Sequence, residues 1–130
     1  MVAKSRVLFI VPFALLITSA KAQFADKEFC DPMRQFADKA NKDAGSMLDS
    51  ITRNDGMAVL CSSKIVDFKK FLNVDDSSFR DGWVQRKQQQ WNEIYCKDNY
   101  WLKAIAAGWT VAQTMTFVNG KRYWMKAECN

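Results

Sequence analysis

The stretch GWTVAQTMTFVNGKRYWMKAEC, residues 108–129, carries the clearest structural signal in the chain. Two segments in which apolar and polar residues alternate lie on either side of Val118-Asn119-Gly120. Alternation with a period of two is typical of half-buried strands, and an Asn-Gly pair between two such segments is a strong hairpin signal. The stretch therefore predicts a β-hairpin, which is evidence about the fold and not about an activity.

The register of this hairpin can be argued from its side chains. A two-residue loop would place Phe117 opposite Arg122 and so mix charge into an apolar face. A three-residue loop with Gly120 in the left-handed conformation keeps one face clean, because a one-residue slip moves every side chain to the other face. The inner face then carries Trp109, Val111, Gln113, Met115, Phe117, Lys121, Tyr123, Met125, Ala127 and Cys129. The outer face carries Thr110, Ala112, Thr114, Thr116, Arg122, Trp124, Lys126 and Glu128.

The N-terminus has the three parts of a secretory signal peptide. Lys4 and Arg6 precede an apolar run over residues 7–17, and small residues follow as Ala20-Lys21-Ala22. The apolar run is too short for a permanent membrane span. We therefore expect residues 1–22 to be a cleaved signal peptide and residues 23–130 to form one small domain.

The charge of the chain gives little support to nucleic-acid binding. The sequence has 19 basic and 14 acidic residues, a net charge of +5. Three of the basic residues, Lys4, Arg6 and Lys21, lie in the predicted signal peptide, so residues 23–130 carry 16 basic and 14 acidic residues, a net charge of +2. The densest runs of basic residues are pairs such as Lys69-Lys70 and Lys121-Arg122, and no dense basic stripe is present. We expect no nucleic-acid partner.

Four cysteines lie in residues 23–130: Cys30, Cys61, Cys96 and Cys129. An even number of cysteines in a small exported domain predicts two disulfides and a periplasmic or extracellular location. Metal binding is disfavoured because no two cysteines are two to four residues apart and the chain has no histidine.

The first half of the domain predicts a helix and a hairpin. Asp31 as N-cap followed by Pro32 is a helix-start signature, and Gly45 is the predicted end of that helix. Asn54-Asp55-Gly56 is a turn signal, so it predicts the turn of a first hairpin, with residues 57–61 as a buried strand. Residues 65–71 are ambiguous between helix and strand, and we favour a continued strand.

The second half predicts two helices before the hairpin already described. Ser78 with Asp81 resembles a capping box for an amphipathic helix that ends around Cys96. Asp98 is the predicted cap of a further short helix, closed by Gly108. We expect an α+β domain in the order helix, hairpin, helix, short helix, hairpin, with the helices packed on one face of an antiparallel sheet made of two β-hairpins.

The two halves share this order of parts, and their cysteine separations nearly match. Cys61 follows Cys30 by 31 residues, and Cys129 follows Cys96 by 33. Of the three connectivities that four cysteines allow, this similarity favours Cys30–Cys61 with Cys96–Cys129. The residue identities in the two halves differ, so coincidence remains an alternative to an internal repeat.

The composition removes most catalytic chemistries. The absence of histidine removes the usual general base and the commonest metal ligand. No glycine-rich phosphate loop is present, and oxidised cysteines cannot act as nucleophiles. The remaining option is a carboxylate pair such as glycoside hydrolases use, with Asp75 and Asp76 or Glu93 and Asp98 as unspecific candidates. Adjacent acids before a helix are more often favourable dipole charges. We expect no catalytic residues and no cofactor.

One aromatic residue stands out as a candidate for binding. Most of the five tryptophans belong in the core of so small a domain. The favoured register places Trp124 outward, between Arg122 and Lys126 and beside Thr114 and Thr116. Trp and Arg are enriched at the centres of protein interfaces, so these residues form a candidate partner-binding surface. The alternative is that another helix covers this face.

The sequence therefore predicts an exported, non-enzymatic protein that binds another protein, for example a periplasmic inhibitor or an immunity-type protein that blocks an enzyme. Two alternatives from other classes are a small secreted hydrolase with a carboxylate pair, and a structural or assembly component of the cell envelope or a secretion apparatus. Fold and compartment alone do not decide among these three.

Overall fold

The computed structural model describes residues 28–130. The predicted signal peptide, residues 1–22, lies outside the described residues. The elements in chain order are α1 (Asp31–Lys42), β1 (Thr52–Leu60), β2 (Ile65–Leu72), a 3-10 turn (Asp76–Ser78), α2 (Trp83–Tyr95), α3 (Asn99–Ala106), β3 (Thr110–Phe117) and β4 (Arg122–Lys126). The α+β class is confirmed. The predicted arrangement of the hairpins is confirmed only in part.

The hairpin of β3 and β4 has the register favoured by the sequence. Gln113 lies opposite Met125, and Met115 lies opposite Tyr123. The Phe117 N–H donates to the Lys121 carbonyl at 2.9 Å, which closes the loop, and Gly120 has a φ of 88°. This is the left-handed conformation that glycine adopts without steric cost. The three-residue loop is therefore confirmed.

The first hairpin turns at a different place from the one predicted. Asn54-Asp55-Gly56 lies inside β1, and the chain turns at residues 61–64. Asn54 pairs with Lys70 and Met57 pairs with Phe68, so two residues of β1 oppose one of β2. This is a β-bulge, and Gly56 supplies the positive φ of 93°. The prediction of strand structure at residues 65–71 is correct.

The sheet is mixed and not purely antiparallel. Its strand order is β1-β2-β3-β4. β1 and β2 are antiparallel, as are β3 and β4, but β2 and β3 are parallel from Ile65 beside Thr110 to Leu72 beside Phe117. Two hairpins can join in either sense, and the long helical connection between β2 and β3 is what allows the parallel pairing. The expectation of an antiparallel sheet was therefore wrong for the central pair.

The helices pack on one face of the sheet, as expected. α1 buries Met33 and Ala37 in a cluster with Met57 and Val66. α2 buries Trp91, whose indole N–H donates to the Val111 carbonyl at 3.0 Å. The outward side chains of the strands contribute little to these clusters. In the described part of the chain, no helix combines the length and apolar character that a bilayer crossing requires.

The predicted helix starts needed two corrections. Asp31 is the first residue of α1 and Cys30 is its N-cap, so Pro32 still lies in the first turn. Ser78 ends the 3-10 turn and caps no helix, because α2 begins later, at Trp83. The cap of α3 is correct: the Asp98 carboxylate accepts hydrogen bonds from two backbone N–H groups.

Both disulfides have the favoured connectivity. Cys30 is bonded to Cys61, and Cys96 is bonded to Cys129. The first bridge joins the start of α1 to the turn between β1 and β2. The second joins the end of α2 to the segment that follows β4. Each half of the domain is therefore closed by its own bridge.

Candidate functional site

The face of the sheet opposite the helices is formed by the outward side chains of all four strands, and we refer to it as the open face. In the described part of the chain the helices pack on the other side. Strand registers assign these side chains to the open face: Arg53, Ala58, Leu60, Ile65, Asp67, Lys69, Phe71, Thr110, Ala112, Thr114, Thr116, Arg122, Trp124 and Lys126. This face contains every residue that the sequence predicts for partner binding.

Trp124 is the most prominent side chain of the open face. It is 54% exposed. The other four tryptophans of the chain, Trp83, Trp91, Trp101 and Trp109, all make ring contacts. Trp124 makes none with any ring in residues 28–130. Exposing a tryptophan forgoes the large gain from burying it, so an isolated exposed tryptophan is typical of a binding surface.

The four other predicted binding residues lie around Trp124 but differ in solvent exposure. Trp124 lies opposite Thr114, and Arg122 lies opposite Thr116. Arg122 and Lys126 are exposed, whereas the two threonines are half-buried. Cross-strand partners on one face have closely spaced Cβ atoms, so Trp124 and Thr114 are neighbours on the open face. The cationic side chains border this pair on both sides.

Sequence reasoning missed two charged residues from β2 that belong to the same surface. The Thr114 hydroxyl donates to the Asp67 carboxylate at 2.9 and 3.0 Å. Partial burial raises the pKa of Asp67, while the hydrogen bond from Thr114 opposes that rise. Lys69 lies beside Thr114 in the neighbouring strand and is exposed. Only the parallel pairing of β2 and β3 brings these residues together.

A shallow polar recess of about 410 Å³ lies beside Trp124 on the open face. The residues that line it from this face are Asp55, Asp67, Lys69, Thr114, Thr116 and Arg122. Asp55 forms an ion pair with Arg53 at 2.7 Å, and that guanidinium stacks over the Phe71 ring at 4.4 Å. Since Asp55 and Asp67 are both engaged within the domain, the charges most available to a partner are cationic.

A polar anchor holds β4, and therefore Trp124, in place. The Asp76 carboxylate accepts hydrogen bonds from the Tyr123 hydroxyl at 2.5 Å and from the Asn119 amide at 2.9 Å. The Lys121 ammonium lies 3.5 Å away. The hydrogen bond from Tyr123, followed by that from Asn119, lowers the pKa of Asp76 to about 2. Asp76 is ionised at neutral pH and ties the 3-10 turn to the hairpin.

The carboxylates considered for hydrolysis include two with structural roles. Asp76 belongs to the anchor just described, and Asp98 caps α3. A general acid in a glycosidase needs a raised pKa, whereas the pKa of Asp76 is lowered. Their neighbours Asp75 and Glu93 are exposed. Asp76 therefore does not have the raised pKa that a general acid needs.

Comparison with known proteins informs the fold. No family model and no curated protein matches the chain. The chain is similar to a solved structure of a protein from Pseudomonas aeruginosa that is inferred to be secreted, with a TM-score of 0.62 and 9% sequence identity. The match covers 80% of this chain and 92% of the other. The likeness shows that the chain has the same fold as that protein.

Proposed function

We propose that this chain is an exported, non-enzymatic domain that binds another protein through its open face, and that it acts as an inhibitor or immunity-type protein by blocking a partner enzyme. The observation that supports binding is the exposure of Trp124. It is 54% exposed and lies between Arg122 and Lys126 on a face that the domain's own helices leave free. A central aromatic residue with arginine nearby is the composition of an interface hot spot.

Two further observations support export. The domain has two disulfides, and disulfides persist in oxidising compartments such as the periplasm and the extracellular space. The similar protein from Pseudomonas aeruginosa is inferred to be secreted. Together with the signal-peptide pattern of residues 1–22, these observations favour a periplasmic or extracellular location.

The charges of the open face indicate what kind of partner would fit. Lys69, Arg122 and Lys126 are exposed, whereas Asp67 accepts a hydrogen bond from Thr114 and Asp55 pairs with Arg53. A partner with an acidic surface around an apolar pocket would complement this arrangement. Complementary charge raises the association rate, and a buried aromatic anchor slows dissociation.

The experiment is capture of a partner on the immobilised, oxidised protein, with Trp124→Ala as the test variant. Ile94→Ala is the matched control, because Ile94 is 57% exposed but lies on α2, on the other side of the sheet. We expect one stoichiometric partner to bind the parent and Ile94→Ala, and to bind Trp124→Ala at least about 30-fold more weakly, as for a hot spot of about 2 kcal/mol.

The blocking role needs a second measurement on the captured partner. We expect its enzymatic activity to fall when the parent domain is added at equal concentration, and to persist when Trp124→Ala is added. Equal capture by the parent and Trp124→Ala would contradict the proposed surface. A partner whose activity is unchanged by the bound domain would contradict inhibition while leaving binding intact.

A further inference from the structure

The inner face of the sheet contains two polar side chains at positions where an apolar residue is expected. Lys70 and Gln113 point to the helix side, in line with Phe68, Leu72 and Met115. Gln113 is only 3% exposed. The Lys70 ammonium donates to the Gln113 side-chain carbonyl at 3.1 Å and lies 5.3 Å from the centre of the Trp91 ring. Polar groups in such positions are costly unless they have partners.

Both side chains line a recess between the sheet and the loop that precedes β1. The recess has a volume of about 250 Å³, and its floor includes the buried side chain of Met115. A wider cleft of about 340 Å³ adjoins it. The two cavities share Asp49, Thr52, Leu72 and Lys87. The cleft therefore opens a path from solvent to Lys70 and Gln113.

The donors of this recess exceed its available acceptors. Within residues 28–130, no carboxylate lies within 4.0 Å of the ammonium groups of Lys70 or Lys87. The nearby Asp49 also lines the recess, and one of its carboxylate oxygens, Oδ1, accepts hydrogen bonds from the backbone N–H groups of Ile51 and Thr52. The Gln113 amide nitrogen donates no hydrogen bond to any described residue. Lys70, Lys87 and the Gln113 amide thus lie at the recess without a hydrogen bond or ion pair to a carboxylate of the described residues.

Burial also lowers the pKa of Lys70 and the charge of Lys87 lowers it further, and the charge of Asp49 opposes these two effects only in part. An anion in the recess would offset both effects, because it would favour the charged form of Lys70. The Lys70 ammonium would bond more strongly to a carboxylate than to the uncharged Gln113 carbonyl, because both partners would then carry a charge. An anion of suitable size would therefore be stabilised there.

The outer part of the cleft is suited to an apolar group. Leu72, Phe79 and Trp83 line it, and the rings of Phe79 and Trp83 are 5.3 Å apart in an edge-to-face arrangement. Arg86 also lines the cleft, but its guanidinium donates to the carbonyls of Arg80 and Asp81 and so is already engaged. The cleft therefore combines an apolar wall with the two lysines and the Gln113 amide at the adjoining recess.

We propose that this cleft is a binding site for a small organic anion that has one carboxylate and a compact apolar body. The carboxylate accepts hydrogen bonds from Lys70 and from the Gln113 amide, with Lys87 at the rim. The apolar body lies against Leu72, Phe79 and Trp83. The site is on the helix side of the sheet, so it is independent of the open face.

The test uses hexanoate as the probe and the oxidised protein, with binding measured by calorimetry and by NMR shifts of the Gln113 side-chain amide. Lys70→Met is the main variant because it keeps an unbranched stem and removes the charge. Lys69→Met is the matched control, since Lys69 is the adjacent lysine but lies on the open face. Lys87→Met, at the rim, is a second variant that keeps the test decisive if Lys70→Met does not fold.

We expect saturable binding of hexanoate to the parent and to Lys69→Met, and a loss of at least about tenfold in Lys70→Met and a smaller loss in Lys87→Met. Hexanamide, which lacks the charge, and inorganic phosphate, which lacks the apolar body, should each bind at least about tenfold more weakly than hexanoate. No saturable binding of hexanoate, or parental affinity in both Lys70→Met and Lys87→Met, would overturn the site. Phosphate binding as tight as that of hexanoate would overturn the assignment of the apolar body.

Discussion

Gly56, in the bulge of β1, is the position where one added methyl group should have the largest effect. Its φ is 93°, and a Cβ built there would lie 2.4 Å from the Oδ1 atom of Asn41. That Oδ1 accepts a hydrogen bond from the Met57 N–H at 2.8 Å, while the Asn41 amide nitrogen donates to the Met57 carbonyl at 3.1 Å. The Asn41 side chain, which a methyl group would displace, is therefore held by hydrogen bonds at both polar atoms of its amide group.

Gly56→Ala should lower the free energy of unfolding through two effects. The left-handed conformation costs an alanine about 1–2 kcal/mol. Displacing Asn41 would break two hydrogen bonds of about 1 kcal/mol each. The total of about 3–4 kcal/mol is a large part of the stability of a small domain. Gly45→Ala is the control, because Gly45 has a φ of 95° but open space around its Cβ, so it should show only the conformational cost.

Urea unfolding of the two variants at neutral pH measures the difference, which we expect to be about 2 kcal/mol. A double-mutant cycle makes the test specific: in an Asn41→Ala background, Gly56→Ala should cost no more than Gly45→Ala, because no side chain remains to be displaced. Equal effects of Gly56→Ala and Gly45→Ala in the parent would refute the argument that Asn41 selects glycine at this position.

Three other predictions concern the anchors of the fold. Replacing Cys96 and Cys129 together by alanine should lower the free energy of unfolding by about 3–4 kcal/mol, since the bridge closes a loop of 33 residues. Thermal unfolding with and without reductant measures this effect, and an unchanged unfolding midpoint in the variant would contradict it. Asp76→Asn should destabilise the domain at pH 7, because folding lowers the pKa of Asp76 to about 2. The stability that the ionised Asp76 adds is fully present above the pKa it has in the unfolded chain, about 4, and is lost as the pH falls from there towards 2. The difference between parent and variant in urea unfolding should thus shrink over that range, and a constant difference would contradict it. Asp98→Ala should cost about 1 kcal/mol through loss of the α3 cap, whereas Asp98→Asn should recover most of it in the same assay.

Local signals in the sequence predicted the elements whose determinants are local. The β3–β4 hairpin has its register set by alternation and by a loop glycine, all within 22 residues, and its structure agrees. The Asp98 cap likewise depends on neighbours two and three residues away. The exposure of Trp124 follows from the same register. Among the described residues no helix covers Trp124, which was the alternative considered for this face.

The predicted turn at residues 54–56 and the predicted antiparallel sheet failed because they depend on contacts far apart in the chain, whereas the two misplaced helix caps, Asp31 and Ser78, were local errors. The Asn54-Asp55-Gly56 sequence indicates a positive φ, which a turn and a bulge both require, so it does not distinguish between them. The bulge is accompanied by a hydrogen bond from the Met57 N–H to Asn41, a residue distant in sequence. The parallel pairing of β2 with β3 joins residues about 45 positions apart, as Ile65 beside Thr110 shows. Local patterns carry no information on such pairings, so Asp67 and Lys69 could not be assigned to the candidate site.

One signal for the cleft was nevertheless present in the sequence. In β2 the inward positions read Val66, Phe68, Lys70 and Leu72, and in β3 they read Val111, Gln113, Met115 and Phe117. Each strand has one polar residue in an otherwise apolar series. Once the strands are placed side by side, these two exceptions become neighbours, which is why the pair has meaning only in three dimensions.

The disulfide connectivity has a consequence for biosynthesis. Each bridge joins a cysteine to the next one along the chain, Cys30 to Cys61 and Cys96 to Cys129. When a chain crosses a membrane N-terminus first, its cysteines reach the oxidising side in sequence order, so each thiol meets its correct partner before any later cysteine arrives. An oxidase that joins cysteines as they appear would thus produce the correct bridges directly. Reshuffling by thiol–disulfide exchange would not be required.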